Sequence, residues 1–207
     1  MEIIDVVDEH LQKRGTATRA EVHEKGYWHQ TFHCWVVFCE DSQACVVLQR
    51  RSAAKDTNPN KLDVSCAGHL MAGERVEDGV RELEEELGIE VPFKELTALG
   101  VHKHQFRNEK IQDNEFSHVF GLKSLRSLKE YEPQWEEISG LYQAKISELM
   151  LLFRGQSADV EIQGLKMEPD GHVEFETARV GVAEFVLRQD DYYLKVLDGL
   201  LNLANCR

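Results

Sequence analysis

The stretch GHLMAGERVEDGVRELEEELGI, residues 68–89, decides the fold and raises the functional question. It holds Glu74, Glu77, Asp78, Glu82, Glu84, Glu85 and Glu86 in a chain whose formal net charge is already -13. On a helix of 3.6 residues per turn, Glu82, Glu85 and Glu86 fall at i, i+3 and i+4 and project from one face. Leu83 and Leu87 share a neighbouring apolar stripe that anchors the helix to a core, and Gly88 suits its C-terminal end. Like charges at these spacings repel, so the face is either a solvated Glu-rich surface or a holder for a cation. Oxygen ligands of this kind suit Mg²⁺ or Mn²⁺, which keep some waters and take their remaining ligands from substrate phosphates. Arg81 can pair with Glu85 and fix its carboxylate.

The residues around this stretch read as strands. TFHCWVVF and ACVVLQRR flank CEDSQ as a hairpin, SAAKDTNPN is a loop, and LDVSCAGHL leads into the Gly-flanked turn before the helix. IIDVVD, LTALGVHKHQF, NEFSHVFGLK and ISGLYQA are further strand candidates, while RAEVHEKGYWH reads as a connection. KISELMLLF and YYLKVLDGLLNLA have helical spacing, and a hairpin over 159–180 is expected to turn at Pro169, Asp170 and Gly171. The pattern predicts an α/β protein, a mixed β-sheet layered with helices.

Composition excludes several classes. The acidic balance argues against a nucleic acid polymer as partner, which needs a basic surface. No apolar run reaches the roughly 20 residues needed to span a bilayer, so no membrane is expected. MEIIDVVDEH lacks a basic, apolar leader pattern, making a cytoplasmic location the default. The five cysteines, Cys34, Cys39, Cys45, Cys66 and Cys206, form no CxxC pair and suggest neither a disulfide framework nor a thiolate zinc site.

RELEEELGI resembles the second half of the Nudix box, Gx5Ex7REUxEExGU with U a bulky aliphatic: Arg81, Glu82, Leu83, Glu85, Glu86, Gly88 and Ile89 fit. Gly68 and Glu74 fit the first half. Six residues separate Glu74 from Arg81 where the family has seven, which puts the role of Glu74 in question, and Gly79 is expected to loosen the helix entry. The flanks, including VLQRRSAAKDTNPNKLDVSCAGH and NEFSHVF, resemble the branch containing type I isopentenyl-diphosphate isomerases and related Nudix hydrolases.

The resemblance implies a Nudix-like α/β/α sandwich with a catalytic domain over 1–153 and a C-terminal hairpin and helix over 154–207 packed on it. That extension carries no readable motif and is left with three roles: covering the sheet, shaping the substrate entrance or mediating a homodimer. The resemblance further implies a small-molecule diphosphate substrate and Mg²⁺ or Mn²⁺ held by Glu82, Glu85 and Glu86. Catalysis is assigned to Glu82, Glu85 and Arg81, with Glu136 or Glu137 as alternative bases.

Arg50 and Arg51 are candidate phosphate clamps, and Tyr27, Trp28 and Phe106 candidate recognition aromatics. The isomerase metal positions correspond to His23, His29, His69, Asp113 and Glu115. Of these, His29, His69 and Glu115 are taken as substrate-site residues and His23 as an ordinary hydrogen-bonded histidine. The isomerase cysteine position is Ala67, and Cys66, one place earlier, should face away because strand side chains alternate. Hydrolysis of a nucleoside-diphosphate-type linkage is therefore the leading expectation, with an isomerase-like enzyme and a noncatalytic metabolite-binding module as rivals.

Overall fold

A computed structural model describes residues 2–108, 111–168 and 170–206. Strands β1 (Ile3–Val7), β2 (Lys13–Thr18), β3 (Trp28–Glu40), β4 (Gln43–Arg51), β5 (Leu62–Asp63) and β6 (Cys66–His69) form the first half of one mixed sheet. Strands β7 (Thr97–Arg107), β8 (Gln112–Lys123), β9 (Ile138–Lys145), β10 (Val160–Met167) and β11 (Val173–Val180) complete it. The main path runs β11-β10-β9-β4-β3-β1-β2, with β8 lying parallel to β3 and carrying β7. Helices α1 (Arg19–Lys25), α2 (Arg81–Leu87), α3 (Ile146–Phe153) and α4 (Tyr192–Ala204) cover it.

β3 is the organising strand because both of its faces are apolar from Cys34 to Val37. Phe32, Cys34 and Val36 point into one core with Leu83 and Leu87 of α2, while Trp35 and Val37 point into the other with Leu149 of α3 and Val196, Leu197 and Leu200 of α4. This alternation makes the sheet the middle layer of an α/β/α sandwich. Leu83 and Leu87 are fully buried, and each stabilises the docking of α2 by about 2 kcal/mol. The β3–β4 hairpin closes on Asp41 and Ser42, both at positive φ, 47° and 62°, a backbone twist that matches the flanking strands. The C-terminal hairpin forms as β10–β11; Pro169, expected in its turn, lies outside the described residues.

Three expectations are corrected. RAEVHEKGYWH contains α1, begun by Thr18, whose side chain accepts from Glu21 N–H, and ended by Gly26 at φ 67°. EDGVRELEEELG is not one helix: a 3-10 turn over Val76–Val80 precedes α2. Because 3-10 geometry rises about 2.0 Å per residue against 1.5 Å, five residues cover the axial distance of six to seven in an α-helix, which absorbs the missing residue. Gly79 does not loosen this entry; a Cβ there would stand 2.7 Å from Phe32 side-chain atoms, so glycine permits the close contact with β3.

The third correction concerns the cysteines. Cys39 and Cys206 form a disulfide with Cα atoms 5.7 Å apart, tying the chain beyond α4 to the end of β3. Their separation of 167 residues leaves no local spacing signal. Cys34, Cys45 and Cys66 are free and buried, as small hydrophobes. A loop of this length is stabilised by about 5 kcal/mol through denatured-state entropy. Chemical denaturation should show Cys206→Ser less stable than the oxidised parent by a few kcal/mol, with the gap closing when a thiol reductant is added.

Candidate active site

A cavity of about 780 Å³ opens between α1, α2, β6, β8 and the segment before α4. Glu82, Glu85 and Glu86 all line it, but unequally. Glu82 and Glu86 are buried, whereas the Glu85 side chain is 55% exposed at the rim. Glu82 fits only because residue 68 is glycine: a Cβ there would lie 2.0 Å from the Glu82 carboxyl carbon. Glu86 accepts from Ala67 N–H at 3.0 Å. Burial pushes the Glu82 carboxyl up to about 7, with Arg81 opposing and Glu85 adding to the rise. Glu86 is likewise raised to about 7 by burial, which the Ala67 amide only partly offsets.

Arg81 organises this acidic wall. It donates to Glu85 at 3.0 Å, to Glu82 at 2.5 Å and to the His69 carbonyl at 3.0 Å, and its Nε and Nη2 reach the two oxygens of Glu74 at 2.8 and 3.1 Å. Glu74 also accepts from Met71 N–H at 2.7 Å. The shortened join therefore leaves Glu74 in place as a residue that fixes Arg81, and Arg81 in turn bonds Glu82 and Glu85.

A second concentration of ligand atoms lies across β6. His29 of β3 stands directly opposite Glu115 of β8 in the parallel register, and Thr31 opposite His69 of β6. Strand alternation thus brings these side chains to one face, and α1 adds His23. The ring centroids of His23, His29 and His69 are 5.2–5.4 Å apart. Ligand atoms of His23, His29 and His69 fall within 4.8 Å of one another, as do those of His29, Asp113 and Glu115.

The Nε2 atoms of His23, His29 and His69 and Oδ1 of Asp113 are buried without a hydrogen-bond partner among the described residues. His29 Nδ1–H donates to the Tyr27 carbonyl at 3.1 Å, which leaves its Nε2 lone pair facing the group. Burial holds all three histidines below their ordinary pKa, His23 at about 4, so they are neutral ligands near pH 7. Burial and the neighbouring Glu115 push Asp113 up to about 8. Orphaned imidazole and carboxylate atoms converging in this way fit a divalent cation. His23 stands in this group, at a position where the sequence favoured an ordinary cleft-lining or hydrogen-bonded histidine.

Other sequence candidates separate. Arg51 lines the cavity and donates to Asp63 at 3.4 Å, but Arg50, its neighbour on β4, turns to the other face, 5.2 Å over the Tyr142 ring. Lys55 lines the cavity and pairs with Glu137; Glu136 is exposed and outside it. Tyr27, Trp28 and Phe106 are not in the cavity lining, and Trp28 instead packs on Phe116. Cys66 points into the core with Phe32 and Cys34, and its thiol is raised by burial, as alternation requires. Sequence reasoning missed Asp63 and Arg188; only the buried-strand context of LDVS hinted at the former.

The NUDIX domain family pattern matches residues 28–163. The chain belongs to the Nudix family. An uncharacterized Nudix hydrolase of Clostridium acetobutylicum is 39% identical over 201 residues, 97% of this chain and 98% of that protein. An isopentenyl-diphosphate Delta-isomerase of Photorhabdus laumondii is 33% identical over 120 residues, 58% of this chain and 65% of that protein, in keeping with the isomerase-related branch. A crystal structure from Deinococcus radiodurans shares the fold with a TM-score of 0.55 at 22% identity, covering 74% of this chain and 90% of that one. This Nudix-family enzyme has no helix among the described residues long and apolar enough to cross a membrane.

The raised carboxyls set a pH dependence. Glu82 and Glu86 hold protons to about pH 7 when folded, whereas an unfolded glutamate releases its proton near 4.5. Their contribution to stability is therefore present below about pH 4.5 and lost as pH rises through 7. In metal-free protein, the stability of the parent relative to Glu86→Gln should fall between pH 5 and 8 by on the order of 3 kcal/mol. Denaturation curves giving a constant difference across that range would contradict the burial assignment.

Proposed function

We propose that this Nudix-family protein is a divalent-cation-dependent hydrolase that cleaves the diphosphate linkage of a small nucleoside-diphosphate-type molecule by water attack at phosphorus. The observation that carries this reading is the pair of buried carboxylates, Glu82 and Glu86, set in a cavity wall where Gly68 makes room for Glu82. Arg19, Arg51, Lys55, Arg81 and Arg188 line that cavity together with a larger set of carboxylates, so a bound cation is needed before the local potential favours an anionic substrate.

Glu82, Glu85 and Glu86 are the proposed holders of Mg²⁺ or Mn²⁺, and His23, His29, His69, Asp113 and Glu115 form a second cation-binding set. A bound divalent cation supplies neutralisation of phosphate oxygens and makes a water more acidic. Glu82 is the proposed acceptor of the proton of the attacking water, held at the cavity wall by Arg81. Arg51, whose guanidinium is held by Thr57 and Asp63, offers its remaining N–H groups to phosphate oxygens, and Lys55 a point charge. Thr31 and Ser117 donate to Glu115 at 3.5 and 3.4 Å and hold it toward the histidines.

The histidine and acid set also supports an isomerase-like reading, since the same positions hold the metal in the related isomerases. Ala67 stands where that chemistry needs a thiol, and Cys66 turns into the core under α2, where its thiol lies against Glu86. Hydrolysis is accordingly preferred.

The test is phosphate and nucleotide release from nucleoside diphosphates, nucleotide sugars, dinucleotides and isopentenyl diphosphate under Mg²⁺ and Mn²⁺ titration. Glu86→Gln should remain folded and lose turnover by two or more orders of magnitude; parent-like rates at saturating metal would refute the assignment. Double-bond migration in isopentenyl diphosphate without phosphate release would favour the isomerase instead. Gly68→Ala should likewise fold but lose more than tenfold in turnover, because its methyl group displaces Glu82.

A further inference from the structure

The residues after the matched family segment do more than cover the sheet. Phe185 bridges in parallel to Leu62 of β5, Val186 N–H donates to the Leu62 carbonyl at 2.9 Å, and Tyr193 hydroxyl donates to the Val186 carbonyl at 2.7 Å. Lys61 Nζ adds a bond to the Ala183 carbonyl at 2.5 Å. This strap lies along the cavity edge and delivers Val186 and Arg188 to its lining.

Arg188 is 6% exposed along its side chain, and its guanidinium lies 5.1 Å over the Tyr192 ring. Its Nη2 donates to Asp63 Oδ1 at 2.7 Å, while Arg51 Nη1 donates to Asp63 Oδ2 at 3.4 Å. One buried carboxylate therefore carries two guanidiniums, and Glu115 is a further carboxylate acting on Arg188, so the group is balanced in charge. Nε of Arg188 is nevertheless buried without a hydrogen-bond partner among the described residues. An unused buried donor on a cavity-lining side chain is costly until an acceptor reaches it. The guanidinium of Arg188 suits the oxygens of a phosphate or carboxylate in that role.

We propose that Arg188, paired with Arg51 across Asp63, forms an oxyanion-binding subsite through which the C-terminal strap takes part in substrate recognition. The ligand is a phosphate or carboxylate group of the substrate. The subsite deepens the diphosphate-hydrolase reading and rests on it for the role of the anion in turnover; anion binding itself is measurable without catalysis.

Calorimetric titration of metal-free full-length protein with inorganic diphosphate, inorganic phosphate and malonate tests the subsite. The parent is expected to bind at least one of them. Arg188→Gln should weaken that binding at least tenfold, and Arg188→Lys, which keeps the charge but loses the fork, about fivefold, with circular dichroism and melting confirming folded protein. Binding of the phosphates alone identifies a phosphoryl ligand, of malonate alone a carboxylate, and of both a general oxyanion pocket; each supports the subsite if the variants lose it. If no anion binds the parent, or if a folded variant stays within twofold of it, the proposal is overturned. Should Arg188→Gln fail to fold, the lysine variant decides by the same criterion. Loss of turnover in the metal titration with anion binding intact would reject the hydrolase reading alone.

Discussion

Glu82 and Glu86 are pressed against β6 with little contact with water, and the surrounding structure answers the electrostatic cost of keeping them there. Leu83 and Leu87 on the neighbouring stripe bury fully and pull α2 onto the sheet, so the carboxylates have no freedom to swing back into solvent. Gly68 removes the side chain that would collide with Glu82, the Ala67 amide meets Glu86, and Arg81 ties the helix to Glu74 and to the β6 backbone. What remains is a partly protonated acidic pair whose full ionisation is favoured by a nearby cation.

The same strand alternation that creates two cores also creates two chemical walls. Even-numbered side chains of β3 pack under α2, while the odd-numbered series changes character along the strand, from His29, Thr31 and His33 to the apolar Trp35 and Val37. His33 Nδ1 shares a hydrogen bond of 3.1 Å with the Tyr192 hydroxyl, and that hydroxyl accepts from Trp35 Nε1 at 3.0 Å, since an indole can only donate. One strand thus passes from ligand field to hydrophobic core within a few residues, with a tyrosine of α4 at the junction.

Much of this was legible locally. The i, i+3, i+4 spacing of glutamates, the leucine stripe and the terminating Gly88 define α2 without any tertiary information, and alternation alone turns Cys66 into the core under α2. Other features depend on packing that a linear pattern does not carry. The 3-10 turn over Val76–Val80 depends on how closely Gly79 can approach Phe32. Arg50 and Arg51 look equivalent as a dipeptide, yet the pleat sends them to opposite faces. His23 gains significance only when α1 folds over β3 and β6. Asp63 meets Arg188 across 125 residues of sequence, and Cys39 meets Cys206 across 167, so neither pairing leaves a mark in the spacing of the chain.

The strap pinned to β5 has a bearing on how this molecule divides its labour. The Nudix match ends at residue 163, but the chamber is closed by side chains from positions 186 and 188. Under the proposed subsite, reactivity and selectivity are written on separable stretches of the polypeptide, and alterations in the later stretch would retune which cargo is admitted while the proposed bond-breaking apparatus upstream stays untouched.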